Sequence, residues 1–232
     1  DRDGHPHVTV DVTRETLRRL RVKALQFHLK ECEFLLDRLP MRCRDPEAVR
    51  FLESVVTEFA DESLRVRLTR VHPEEHYRRA LESLRIRLRE KNARFENGIQ
   101  LEKALHTIAK ALKRDGLTGS RYARLQNWRR RTRVFGLQFM RLDIRENSKG
   151  YRSLLKGLLT LLGEDPDRVD TDNFEGLWGR EFPEISERVL KSNLDERAYD
   201  LYAVTRLMQE YASEYSAEGI GVNVISMTHC IG

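Results

Sequence analysis

The sequence predicts a mainly α chain with a few short strands, and three observations carry that reading. Apolar residues recur every three to four positions through most of the 232 residues, the spacing of one helix face. With 13 Gly and 6 Pro, the chain is too poor in turn residues for a β-sandwich. Only two segments, 139–145 and 222–227, switch to a strand-like pattern. Strands separated by long helical stretches imply parallel pairing, because a parallel neighbour needs a crossover.

Taken in order, the first helix is expected over 11–39, carrying Leu17, Leu20, Ala24, Phe27, Leu35 and Leu39, with Thr13 as N-cap and Pro40 as stop. Pro46 to Phe59 gives the second. Pro73 suits a first helical position and opens the third, with Tyr77, Ala80, Leu81, Leu84 and Leu88 on one side. Helices follow over 98–113, 120–131 and 153–162, the last closed by Gly163. Residues 164–184 hold two Pro, two Gly and several Asp and are read as loop; 194–214 is the final helix.

The composition sets limits on function. A hydrophobic fraction of 40% supports a sizeable core, and a chain of this length hides roughly 70% of its unfolded surface without disulfides or metals. Apolar runs such as 158–162 fall far short of the ~18 to 20 residues of a membrane span, so no membrane partner is expected. The net charge of +5 permits an anionic partner without demanding one. Basic runs at 18–23 and 129–133 read as solvated helix faces, and Trp128 is the one aromatic platform near them, so nucleic acid is not expected either. Cys32, Cys43 and Cys230 have no CxxC spacing and read as reduced thiols, Cys32 within a core.

His72-Pro73-Glu74-Glu75-His76 fits the zinc-peptidase pattern H-x-x-E-H. That chemistry needs both imidazoles one turn apart on one helix. Pro73 at a helix start leaves His72 outside it, so the motif is read as a helix N-terminus with favourable acidic residues. His5 and His7, flanking Pro6, read as polar loop residues.

The segment 139–145 carries the sharpest chemistry. Strict alternation puts Met140, Leu142 and Ile144 on one face and Arg141, Asp143 and Arg145 on the other. An edge strand with one wet face shows this pattern. So does a barrel strand whose charges line the carboxyl-end mouth, where two arginines spaced by an aspartate would clamp a phosphate or carboxylate.

Three segments together resemble phosphoenolpyruvate carboxylase. Residues 1–9, Asp-Arg-Asp-Gly-His-Pro-His-Val-Thr, look like the family's GGDRDGNPNVT motif. Phe135-Gly136-Leu137 through Arg141 to Ser148 looks like its FGL…RLDIRQES strand, and 224–228 like its VISMT strand. The order and rough separation also agree. The resemblance implies a middle stretch, 1–232, of a helix-rich (β/α)8 TIM-type barrel, with the motif loop and added helices in 1–133 and barrel strands with intervening helices in 134–232. It implies a cytoplasmic, homotetrameric lyase that uses Mg2+ or Mn2+ to join phosphoenolpyruvate and bicarbonate into oxaloacetate and phosphate, a carbon-fixing, anaplerotic reaction. By the same resemblance Arg145 helps hold phosphoenolpyruvate, Asp143 orients that arginine, Arg141 adds to the field, and Asp1, Arg2, Asp3 and Gly4 line a loop beside the active site. The family's catalytic His, Lys and metal ligands and its GRGG loop have no counterpart here. They are expected beyond the two ends, and the chain alone is expected to turn over nothing. Glu146 replaces the usual Gln, a negative charge next to Arg145 that Lys149 or another cation has to offset. Two other readings are a non-catalytic helical binding or assembly module and a basic nucleic-acid-binding helical protein.

Overall fold

A computed structural model of the chain describes residues 5, 7–39, 42–89, 95–169 and 184–228. The described residues form helices α1 (Val10–Leu36), α2 (Pro46–Phe59), α3 (Glu62–Val71), α4 (His76–Arg89), α5 (Gly98–Arg114) and α6 (Ser120–Phe135). Strand β1 (Leu142–Asn147), helices α7 (Ser148–Leu161), α8 (Glu187–Asn193) and α9 (Glu196–Tyr215), and strand β2 (Ile220–Ser226) follow. The chain divides into two units: Arg18–Met140, and Asp1–Leu17 with Arg141–Gly232. Their charges differ in sign. Residues 18–140 hold 29 Lys and Arg against 16 Asp and Glu, a net +13, and the remainder holds 13 against 21, a net −8.

The helical unit is built on one apolar core, in which α2 packs on α4 and α5, and α5 on α6. Helix α2 shows why its bounds are so well defined. Asp45 accepts hydrogen bonds from the Glu47 and Ala48 amides at 2.9 and 3.0 Å, and Pro46 needs no partner at the first helical position. Ala48, Leu52, Val55, Val56 and Phe59 then form the buried face. On α6 the indole of Trp128, fully buried, donates to His28 Nδ1 at 2.9 Å. That leaves Nε2–H to donate to the Gly136 carbonyl at 2.8 Å, where α6 ends with a positive φ of 53°. His28 is therefore held as one neutral tautomer, and burial lowers its pKa to about 4. Nearby, Glu31 lies buried and accepts both arms of Arg124, at 2.6 and 2.7 Å.

Several expectations need correction. Thr13 is no N-cap, for it lies inside α1, its hydroxyl bonded to the Thr9 carbonyl, and the Val10 amide instead donates to Asp200 of α9 at 3.0 Å. Helix α3 went unforeseen because only Leu64 and Leu68 mark its buried side, among three arginines. Pro73 starts no helix: residues 73–75 form a turn and α4 begins at His76. Helix α7 begins five residues before 153, and α8 fills part of an expected gap. Met140 lies ahead of β1 and is 60% exposed rather than on its apolar face, since Phe139 adopts a left-handed conformation (φ 61°) that no strand continues through.

In the second unit, β1 and β2 pair in parallel, Arg145 opposite Val224 and Asn147 opposite Ser226. The connection between them carries α7, α8 and α9, as a parallel crossover requires. Leu154, Leu190, Leu194, Ala198 and Leu201 form the core of these helices. The 222–227 run was expected as a buried strand. In the structure Val222, Ile225 and Met227 are exposed, because among the described residues the sheet has only two strands and few layers to cover it. Residues 170–183, the bulk of the expected 164–184 loop, lie outside the described residues; Pro166–Val169 forms a short 3-10 turn.

Candidate functional site

Alternation along β1 separates its charges cleanly. Ile144 and Glu146 face inward, 7% and 2% exposed, whereas Asp143 and Arg145, with Arg141 just ahead of the strand, are exposed. Of the three residues predicted to share a charged face, all are exposed, but only Asp143 and Arg145 lie on the strand and Arg141 precedes it. Positions 141 and 145 are four residues apart, about 13 Å along an extended chain, so two guanidinium groups there meet one small anion only by leaning together. Asp143 has a structural task of its own. Its carboxylate accepts the Val222 amide hydrogen at 3.0 Å, tying β1 to β2 where the register shifts between Leu142 and Ile144.

Arg145 sits near the carboxyl end of β1, three residues before the first residue of α7. Asn147 caps that helix by accepting the Lys149 amide at 2.9 Å, and the Ser148 hydroxyl donates to the Met227 carbonyl at 2.8 Å, holding the two strand ends together. A cationic side chain on a rigid strand, with the positive end of a helix dipole beside it, is an environment that favours an anion.

Glu146, next in sequence to Arg145, points to the opposite face. There its Oε1 accepts from Arg197 of α9 at 2.6 Å and from the Asn147 amide at 2.9 Å. Gly150 in the first turn of α7 lies against this side chain, and a β-carbon there would meet Glu146 Cγ at 3.4 Å, an ordinary contact. Arg197 follows Asp195, the N-cap of α9, whose carboxyl is held below its usual range first by the Ser153 hydroxyl and then by the Ala198 amide. The cation that offsets Glu146 thus includes Arg197, 51 residues away, which sequence reasoning did not find. Nothing in the local pattern announces it.

Among the described residues, the other candidates bring no metal-ligating group together. Asp1, Arg2, Asp3 and Gly4 lie outside the described residues. His72 caps the end of α3 and pairs with Glu75 at 3.0 Å, while His76 opens α4 and faces Glu53 at 3.1 Å. Arg79, nearly fully buried, donates to the carbonyls of His72 and Pro73 and lies 2.7 Å from His76 Nδ1, packing a guanidinium cation against that imidazole. Among the described residues no group of three or more His, Cys, Asp or Glu is placed to hold a metal ion. Cys32 is fully buried and bonded to the Leu81 carbonyl, its thiol pKa pushed up mainly by burial. No described helix is long and apolar enough to cross a membrane.

Comparison with known proteins decides what this arrangement belongs to. The family model described as phosphoenolpyruvate carboxylase matches residues 1–232. The chain belongs to the phosphoenolpyruvate carboxylase family. Among curated relatives, the phosphoenolpyruvate carboxylase of Edwardsiella ictaluri is 33% identical over 168 residues, 70% of this chain and 18% of that protein. Those of Shewanella loihica and Alcanivorax borkumensis are 29% and 30% identical over 98% of this chain and 26% of theirs. The chain thus spans about a fifth to a quarter of the length of the carboxylases it matches.

Proposed function

We propose that this chain is part of a phosphoenolpyruvate carboxylase, which joins phosphoenolpyruvate to bicarbonate to give oxaloacetate and phosphate, and that Arg145 helps hold the phosphate of phosphoenolpyruvate. The observation that carries this reading is the place of Arg145: exposed, near the carboxyl end of a parallel strand, beside the start of α7. That is where parallel barrels keep their chemistry, and the helical crossover from β1 to the parallel β2 through α7, α8 and α9 is consistent with such an arrangement. A guanidinium group stays charged in any surroundings, and it offers a phosphate two parallel donors. As the reaction proceeds through carboxyphosphate and the enolate of pyruvate, a fixed cation stabilises negative charge as it shifts.

Arg141 would add to this field and Asp143, by fixing β1 to β2, would set the direction from which Arg145 reaches the substrate. The loop of Asp1, Arg2, Asp3 and Gly4 would border the same site. The parent protein would supply the acid-base residues and the Mg2+ or Mn2+ ion of the reaction from other segments, and would be a cytoplasmic homotetramer. The ion would act there as a Lewis acid on the anionic intermediates.

Two experiments test the proposal. In the full-length parent, Arg145→Ala should raise KM for phosphoenolpyruvate by about tenfold to a hundredfold, the loss of one or two charge-assisted hydrogen bonds. Unchanged KM and kcat would remove the assignment. The purified 232-residue chain should release no phosphate from phosphoenolpyruvate and bicarbonate with Mg2+, and measurable release would overturn the division of labour proposed here.

A further inference from the structure

We infer that Arg197 is a positioning residue for the anion site of Arg145, acting through Glu146 by cancelling a carboxylate charge that would otherwise oppose substrate binding. The inference rests on the role proposed for Arg145. Glu146 is its chain neighbour and is 2% exposed, so water does not solvate the carboxylate. A buried carboxylate without a counter-ion is strongly destabilising, and its field reaches far because little solvent screens it. Arg197 donates to Glu146 Oε1 at 2.6 Å, from a side chain that is itself half exposed.

The same oxygen accepts the Asn147 amide at 2.9 Å, and the Asn147 side chain caps α7 through Lys149. The carboxylate is therefore fastened at the point where β1 becomes α7. The first turn of α7 packs against it at Gly150. Glu146 thus fixes the backbone from which Arg145 projects, and Arg197 lets it do so without leaving a net negative charge one residue from a cation meant for a phosphate. Gln, the neutral isostere of Glu, could accept the same amide hydrogen and would need no such partner.

The test uses the full-length parent with phosphoenolpyruvate as the varied substrate. Arg197→Gln keeps a hydrogen-bond donor but removes the charge. It should raise KM about tenfold, equivalent to about 1.4 kcal/mol, and leave kcat within about twofold. Arg197→Lys should hold KM near its native value. Adding Glu146→Gln to Arg197→Gln should bring KM back, a rescue that a purely structural loss would not show in KM alone. Should Arg197→Gln fail to fold, Glu146→Gln by itself must leave KM equal or lower, and a rise would overturn the inference. An unchanged KM in Arg197→Gln, or a raised one that Glu146→Gln does not relieve, would overturn it too, while a raised KM in Arg145→Ala keeps the proposed function standing. If Arg145→Ala leaves KM unchanged, both fall together.

Discussion

Asp143 and Gly221 share one small space between β1 and β2, for the carboxylate oxygen of Asp143 stands where a β-carbon at 221 would be. From there it accepts the Val222 amide at 3.0 Å. Gly221 is required here by space, since its backbone conformation is open to any residue. Gly221→Ala should therefore expel the carboxylate, break the bond to Val222 and cost about 1 to 3 kcal/mol. The readout is the urea midpoint of the purified chain. Combining Gly221→Ala with Asp143→Ala should recover part of the loss, and an unshifted midpoint in the single variant would contradict the contact.

His28 makes stability depend on pH with a defined sign. Its imidazole titrates near 6.5 when unfolded and near 4 in the fold, because burial disfavours the charged form. Between those values the unfolded chain binds a proton that the folded chain does not. The contribution is thus fully present above about pH 6.5 and is lost as the pH falls toward 4, a change on the order of 3 kcal/mol. Carboxylates titrating at lower pH are common to the native chain and to His28→Gln. Unfolding free energies of the two measured at pH 7 and 4.5 should converge on acidification, and parallel curves would count against a buried neutral His28.

Glu31 tests the helical unit in another way. Buried and gripped by both arms of Arg124, with Arg131 3.9 Å away, it depends on those cations. Arg124→Ala should destabilise by about 1 to 3 kcal/mol, the lower end applying if Arg131 moves in. Arg124→Ala combined with Glu31→Gln should be milder than Arg124→Ala alone. Chemical denaturation of the three variants decides it, and equal losses in the single and double variants would mean that the Glu31 charge is not what Arg124 serves.

Legibility in the sequence followed the range of the interactions concerned. The span of helix α2 was readable because the signals that set it, Pro46 at its first position and a regular apolar period, are local. The alternation of β1 was readable for the same reason, and with it the exposed side of Arg141, Asp143 and Arg145. Arg145 acquired a chemical role only through its resemblance to a family strand; burial and spacing alone leave an edge strand equally possible. What could not be read lies in contacts between distant residues. Asp200 holding the Val10 amide displaces Thr13 from its expected place as a cap, and Arg197 answering Glu146 crosses 51 positions. Helix α3 was hidden because two leucines in ten residues make too weak a period.

The opposite charges of the two units give the modest overall value of +5 a different meaning. Self-repulsion grows roughly as the square of net charge, so a body of 123 residues at +13 carries far more electrostatic stress than the whole-chain figure suggests. Dissolved ions relieve that stress, with a screening length of about 8 Å at physiological ionic strength. For residues 18–140, salt is thus a stabilising agent that acts on a crowd of arginines collectively, even as it weakens each of their exposed ion pairs one by one.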